Sequence, residues 1–162
     1  MRRLLLPFLL ILIAAGSSRA ANPTIPGNVA VLRGDIAYAP ENAPAAVKNA
    51  IWAVNTIVRK PYRWGGGHST FFDAGYDCSG TVSFMLYHAS TLAAPSPSKG
   101  LMGWGEAGRG RWITVYARSG HTFAIVAGLR LDTTGRREGE GPRWRPEGRD
   151  LSKFVARHPP GL

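Results

Sequence analysis

Cys78 is the only cysteine in the chain, and it stands in GYDCSGTVSF between an aspartate and a Ser-Gly pair. A thiol with no disulfide partner is either a buried apolar group or a nucleophile, and a nucleophile needs a base to take its proton and return it to a leaving group. Helical periodicity resumes through Val82, Met85 and Leu86 and predicts a helix over 78–90, with the thiol in its first turn. Unpaired N–H groups and the positive end of the helix dipole gather there. They favour the thiolate and can face a developing oxyanion. Gly80, in the same turn, reads as a place where a substrate approaches the backbone.

Four histidines compete for the role of base. His88 lies ten residues further along the same helix, roughly 15 Å along its axis, and is out of reach. His158 sits in a Pro-rich tail with nothing to fix it. His68 belongs to a glycine loop beside the cysteine, where proximity is available and rigidity is not. His121 opens the run HTFAIVAG, where a strand end can present an imidazole to a helix terminus packed on the sheet. It is the strongest candidate. With a turn near Ala127 and Gly128, an antiparallel hairpin in which 121 faces 132 puts Asp132 beside His121, where a carboxylate fixes the tautomer and stabilises the charged ring. A slip of one residue would leave Thr133 there instead.

The elements that must hold these groups follow from pattern. Val47, Ile51, Val54 and Val58 mark one face of a helix over 44–59, with Pro44 in its first turn and Pro61 beyond its end. PYRWGGGHSTFFDAGYD is a loop, because three consecutive glycines cost a helix or strand too much entropy. After a break at TLAAPSPSKG, the runs RWITVYA, HTFAIVAG and LRLDTT read as strands. Helices first and an antiparallel strand block after give a single α+β domain. Residues 44–134 are its core. Residues 21–43 read as an extended leader on the surface or disordered, and 135–162 as a basic Gly/Arg/Pro-rich loop and solvated tail.

Residues 1–20 carry two arginines, an apolar run from Leu4 to Ala15 and small residues at Ser18 and Ala20, the pattern of a secretory signal peptide. The run is too short to span a bilayer, so no transmembrane segment is expected in the mature chain. Losing Arg2, Arg3 and Arg19 takes the formal charge from +10 to +7, since no acidic residue precedes Asp35. A basic exported domain is expected at the cell envelope or in the periplasm, in electrostatic association with anionic envelope polymers. No aromatic-basic stacking motif points to nucleic acid.

PYRWGGGHSTFFDAGYDCSGTVSF, followed about forty residues on by SGHTFAIVAGLRLDTTG, resembles the NlpC/P60 family of cell-wall cysteine peptidases, within the papain-like superfamily. The resemblance spans roughly residues 45–134. It implies a papain-like fold with helices on an antiparallel sheet, Cys78 as nucleophile, His121 as general base and acid, and Asp132 as third residue. It also implies Tyr62 as an aromatic of the acceptor pocket and Asp77 as a carboxylate that receives the free amine of a stem peptide. Trp64 and Ser79, in the same motifs, join them as candidate substrate contacts. The implied reaction is hydrolysis of an amide in peptidoglycan stem peptides through a thioester, with no metal or organic cofactor. The third residue is commonly histidine in the family, and aspartate keeps the acceptor. The alternatives are an amidase or acyl transferase with the same nucleophile, and a non-catalytic envelope-polymer binding protein.

Overall fold

In the computed structural model, which describes residues 22–134, 140–146 and 148–162, the stripe of Val47, Ile51, Val54 and Val58 is buried, as its spacing requires. Its helix α1 (Ala45–Asn55) starts after Pro44 and ends before Arg59, with residues 56–60 continuing as turns. The second helix, α2 (Cys78–His88), begins at the cysteine. It stops two residues short of the expected end. Ser90 takes φ +59°, and the amides of Ser90 and Thr91 return to the carbonyls of Tyr87 and Leu86, a Schellman closure. Residues 78–86 of α2 are buried on every side, so the short apolar stripe in the sequence understates how enclosed this helix is. A short helix, α3 (Ser98–Leu101), follows.

Three strands precede α1: β1 (Thr24–Ile25), β2 (Val31–Arg33) and β3 (Ile36–Pro40), in the order β1-β3-β2. The remainder, β4 (Glu106–Ala107), β5 (Ile113–Arg118), β6 (His121–Val126), β7 (Leu129–Asp132), β8 (Arg143–Pro146) and β9 (Val155–His158), form a six-stranded sheet in the order β4-β9-β5-β6-β7-β8. Helix α2 packs on α1 and on β6, and α1 packs on β3.

Two expectations are corrected. Residues 24–40 are not a surface leader: Ala37 and Ala39 are fully buried, and Ala30 N–H donates to Ala127 O across to the main sheet. Asn55 at the end of α1 clamps this segment, its Oδ1 accepting from Ala37 N–H at 3.0 Å and its Nδ2 donating to Ala37 O at 2.8 Å. Nor is the C-terminal part a solvated tail. Strand β8 pairs with β7, β9 inserts between β5 and β4, and Trp144 is buried with its Nε1 donating to the same Asn55 Oδ1 at 2.9 Å. Local composition could not reveal this, because the strands are completed by partners far away in sequence. The expected signal peptide lies outside the described residues.

The β6–β7 hairpin turns on Ala127 and Gly128, both at positive φ (47° and 91°), as a two-residue type I′ turn requires. This pairs Val126 with Leu129 and Ala124 with Leu131. Continued outward, the same register sets residue 121 opposite 134 and residue 123 opposite 132. The expected 121–132 pairing is therefore displaced by two residues. An even displacement preserves the face, so His121 and Asp132 become diagonal neighbours on one side of the sheet.

Asn55→Ala removes three hydrogen bonds that tie α1 to β3 and β8. At about 1 kcal/mol net each, it is expected to destabilise the domain by about 2–3 kcal/mol, read as a lower urea midpoint at unchanged m-value.

Candidate active site

Asp77 is the N-cap of α2, in extended backbone conformation. Its Oδ1 accepts from Gly80 N–H at 2.8 Å and from Ser79 Oγ at 3.1 Å, while Oδ2 accepts from Gly65 N–H at 3.1 Å and lies 2.9 Å from His68 Nε2. Loop and helix meet at one carboxylate. The glycines make that contact possible: a Cβ on Gly80 would lie 2.0 Å from Gly66 O, and one on Gly67 would lie 2.8 Å from Gly80 Cα. The opening expected at Gly80 is thus filled by the protein's own backbone rather than left for substrate.

This packing encloses two candidate substrate contacts. Asp77 and Ser79 are 4% and 3% exposed, and both are engaged inside the loop–helix junction, Ser79 Oγ also lying 2.9 Å from His68 Nε2. Their polar atoms hold the first turn in this structure. Tyr62 and Trp64 are different. Tyr62 is half-buried, and its hydroxyl is pushed up by burial, then by the charges of Cys78 and Asp77. Trp64 stands 86% exposed on the same loop.

Cys78 is buried, 9% exposed, at the amino-terminal tip of α2. His121, first residue of β6, is close enough that the Cys78 thiol, together with Asp132, helps to raise its pKa. Nε2 of that ring lies 3.2 Å from Asp132 Oδ1 and 3.2 Å from Thr134 Oγ1, which leaves Nδ1 as the nitrogen for the thiol. Burial alone would discharge the imidazole. The hydrogen bonds and charges of Asp132 and Cys78 outweigh it and hold the pKa at about 9.

Asp132 is 1% exposed. Burial pushes its carboxyl up, and the bond to His121, the Thr134 N–H at 2.9 Å and Arg149 more than compensate, so it stays below the usual carboxylate range. Its second oxygen meets Arg149 Nη1 and lies 3.5 Å from Arg130 Nε. The three residues read as nucleophile, base and orienter are thus brought together.

The other histidines lie elsewhere. His68 is tied to Asp77 and Ser79, and His158 is 3.2 Å from Glu106 Oε2. His88 packs against Phe84 and Phe72 at the far end of α2, its charge disfavoured by burial. No group of three potential metal ligands occurs among the described residues.

Sequence reading missed Thr134, Arg149 and Phe154. Phe154 sets its ring 6.2 Å from that of His121 and 5.1 Å from that of Phe123. Residues 149 and 154 lie beyond the strand that carries Asp132, and no local spacing links them to it. The one available signal was the alternation in RWRP, which marks β8 and hence a chain that returns to the sheet.

No protein-family model matches the chain, and no curated protein does. Among solved structures, it is similar in fold to the peptidoglycan hydrolase RipB of Mycobacterium tuberculosis, with a TM-score of 0.53 and 23% identity over 69% of this chain and 64% of that one. The chain thus matches just under two thirds of the length of the RipB structure. The likeness concerns the fold, and the α+β architecture with its antiparallel sheet is the one expected from the sequence. No helix among the described residues is long and apolar enough to cross a membrane.

Gly80→Ala drives a methyl group into Gly66 O. It is expected to cost about 2–3 kcal/mol in urea unfolding and to change the rate of Cys78 alkylation by iodoacetamide, because the loop must leave the helix tip to admit it.

Proposed function

We propose that this chain is a cell-envelope cysteine peptidase that hydrolyses amide bonds in peptidoglycan stem peptides. The observation that carries the reading is the Cys78–His121–Asp132 relay at the amino end of a helix, with the imidazole held charged. The fold shared with a peptidoglycan hydrolase supports the choice of substrate, as do the basic charge and the apolar amino-terminal run.

In this reading, the Cys78 thiolate attacks the amide carbon, a C–S bond forms and the carbonyl π electrons move to oxygen. Gly80 N–H is committed to Asp77, and Thr81 N–H to the Asp77 carbonyl, so the Cys78 and Ser79 amides are the first-turn donors for that oxyanion. His121 gives its proton to the leaving nitrogen as the C–N bond breaks. The neutral ring then takes a proton from water, whose oxygen attacks the thioester. The C–S bond breaks and the sulfur leaves as thiolate, with the imidazolium restored. Asp132 keeps Nε2 protonated throughout. Among the candidate contacts of the loop, Tyr62 and exposed Trp64 are available to the peptide.

Purified chain is expected to release free amino groups from isolated peptidoglycan, and Cys78→Ala to abolish release while retaining the circular dichroism spectrum. Equal release by that variant would end the proposal. Asp132→Ala is expected to lower kcat by roughly 10²-fold or more, since the ring loses its orienting acceptor.

His121 also fixes a pH window. Its folded pKa of about 9 lies above the ordinary 6.5, so its contribution to stability is complete below about 6.5 and is lost as pH rises through about 9. Thermal midpoints are expected to fall across that interval in the native chain, and to fall less in His121→Gln.

A further inference from the structure

An aspartate in the third position carries a full negative charge, which a neutral acceptor there would not. Left alone beside His121, that charge would raise the proton affinity of the imidazole and make its proton harder to give to the leaving nitrogen in the first half of the reaction. The carboxylate is not left alone. Arg149 Nη1 bonds Oδ2, on the side away from His121, while Oδ1 takes His121 Nε2 and Thr134 N–H. The Arg149 guanidinium lies 5.0 Å from the centroid of Phe123 and 5.5 Å from that of Phe154, two rings that also flank His121. Its position is set by packing as well as by charge.

We propose that Arg149 is a positioning residue for the Cys78–His121 pair, holding Asp132 Oδ2 and offsetting the aspartate's charge so that His121 can cycle between its charged and neutral forms. The proposal rests on the reading of Cys78 as nucleophile and His121 as base.

Among the described residues, other charges also face the imidazole. On the α2 side lie Cys78 and the preceding Asp77, whose charges also act on Tyr62. From β5, Arg118 is the register partner of His121, and its guanidinium turns over the Phe154 ring. From β7, Asp132 is shared with Arg130, whose own neighbours include Arg145. Arg149 alone among these cations both bonds the carboxylate and stacks on the rings flanking His121. Arg130 Nε, at 3.5 Å, makes no hydrogen bond.

The test is the NMR titration of His121 in the labelled full chain, together with the pH dependence of Cys78 alkylation. Arg149→Met and Arg149→Gln are both expected to raise the His121 midpoint by roughly half to one pH unit, with Arg149→Lys staying close to the native value. Should the Met variant fail to fold, the Gln variant, which removes the charge while keeping a polar hydrogen-bond donor, gives the reading. In an Asp132→Asn background, Arg149→Gln is expected to move the midpoint by less than half as much. An unchanged or lowered midpoint in the single variants, or an equal shift in the Asn background, overturns the proposal. Neither measurement uses a substrate. A chain inert toward cell walls that still shows the shift would remove the peptidase reading and leave the role of Arg149 in the His121 titration standing.

Discussion

The site depends on a single carboxylate at the start of a helix. Asp77 caps α2 through Gly80 N–H and, with its other oxygen, holds Gly65 N–H of the glycine loop. An N-cap of this kind contributes on the order of 1 kcal/mol on its own. Here it also fixes where the helix begins, and therefore that Cys78 is the first helical residue rather than one buried mid-turn. The backbone contact of Gly66 and Gly67 with Gly80 closes the same junction from the other side. Loop and helix tip form one unit with the sulfur at its edge.

The sheet delivers the second half. The type I′ turn at Ala127–Gly128 sets the register of β6 against β7 and so brings Asp132 diagonally to His121. Side chains of β6 alternate: Ala124 and Val126 enter the main core, while Phe123 and Ile125 join Tyr116 on the opposite face, covered by Leu151, Phe154 and Ala156. His121 shares the parity of that second cluster. The carboxy-terminal segment that roofs the cluster therefore reaches the imidazole and its aspartate, and a charge network of His121, Asp132, Arg130 and Arg149 is enclosed where solvent screens it little.

The amino-terminal strands and the end of α1 brace the far side of the domain. Asn55 serves β3 and β8 at once, so the first and last thirds of the chain are joined through one amide side chain. Such a joint has no signature in the sequence, since an asparagine near a helix end reads as an ordinary turn residue.

The sequence by itself determined the parts whose causes are local. The stripe of Val47, Ile51 and Val54 specified α1, the Asp-Cys-Ser-Gly segment placed the thiol at a helix start, and the Ala-Gly pair made a hairpin that leaves His121 and Asp132 on one face. Each rests on periodicity, capping or turn chemistry within about a dozen residues. Only the tertiary structure decided that residues 24–40 and the strands β8 and β9 belong to the domain, that Gly80 faces the protein's own loop, that Asp77 and Ser79 are buried in the loop–helix junction, and that Arg149 meets Asp132. These depend on which distant backbones and charges come into contact, and contact across such separations is set by the burial and pairing of the whole chain.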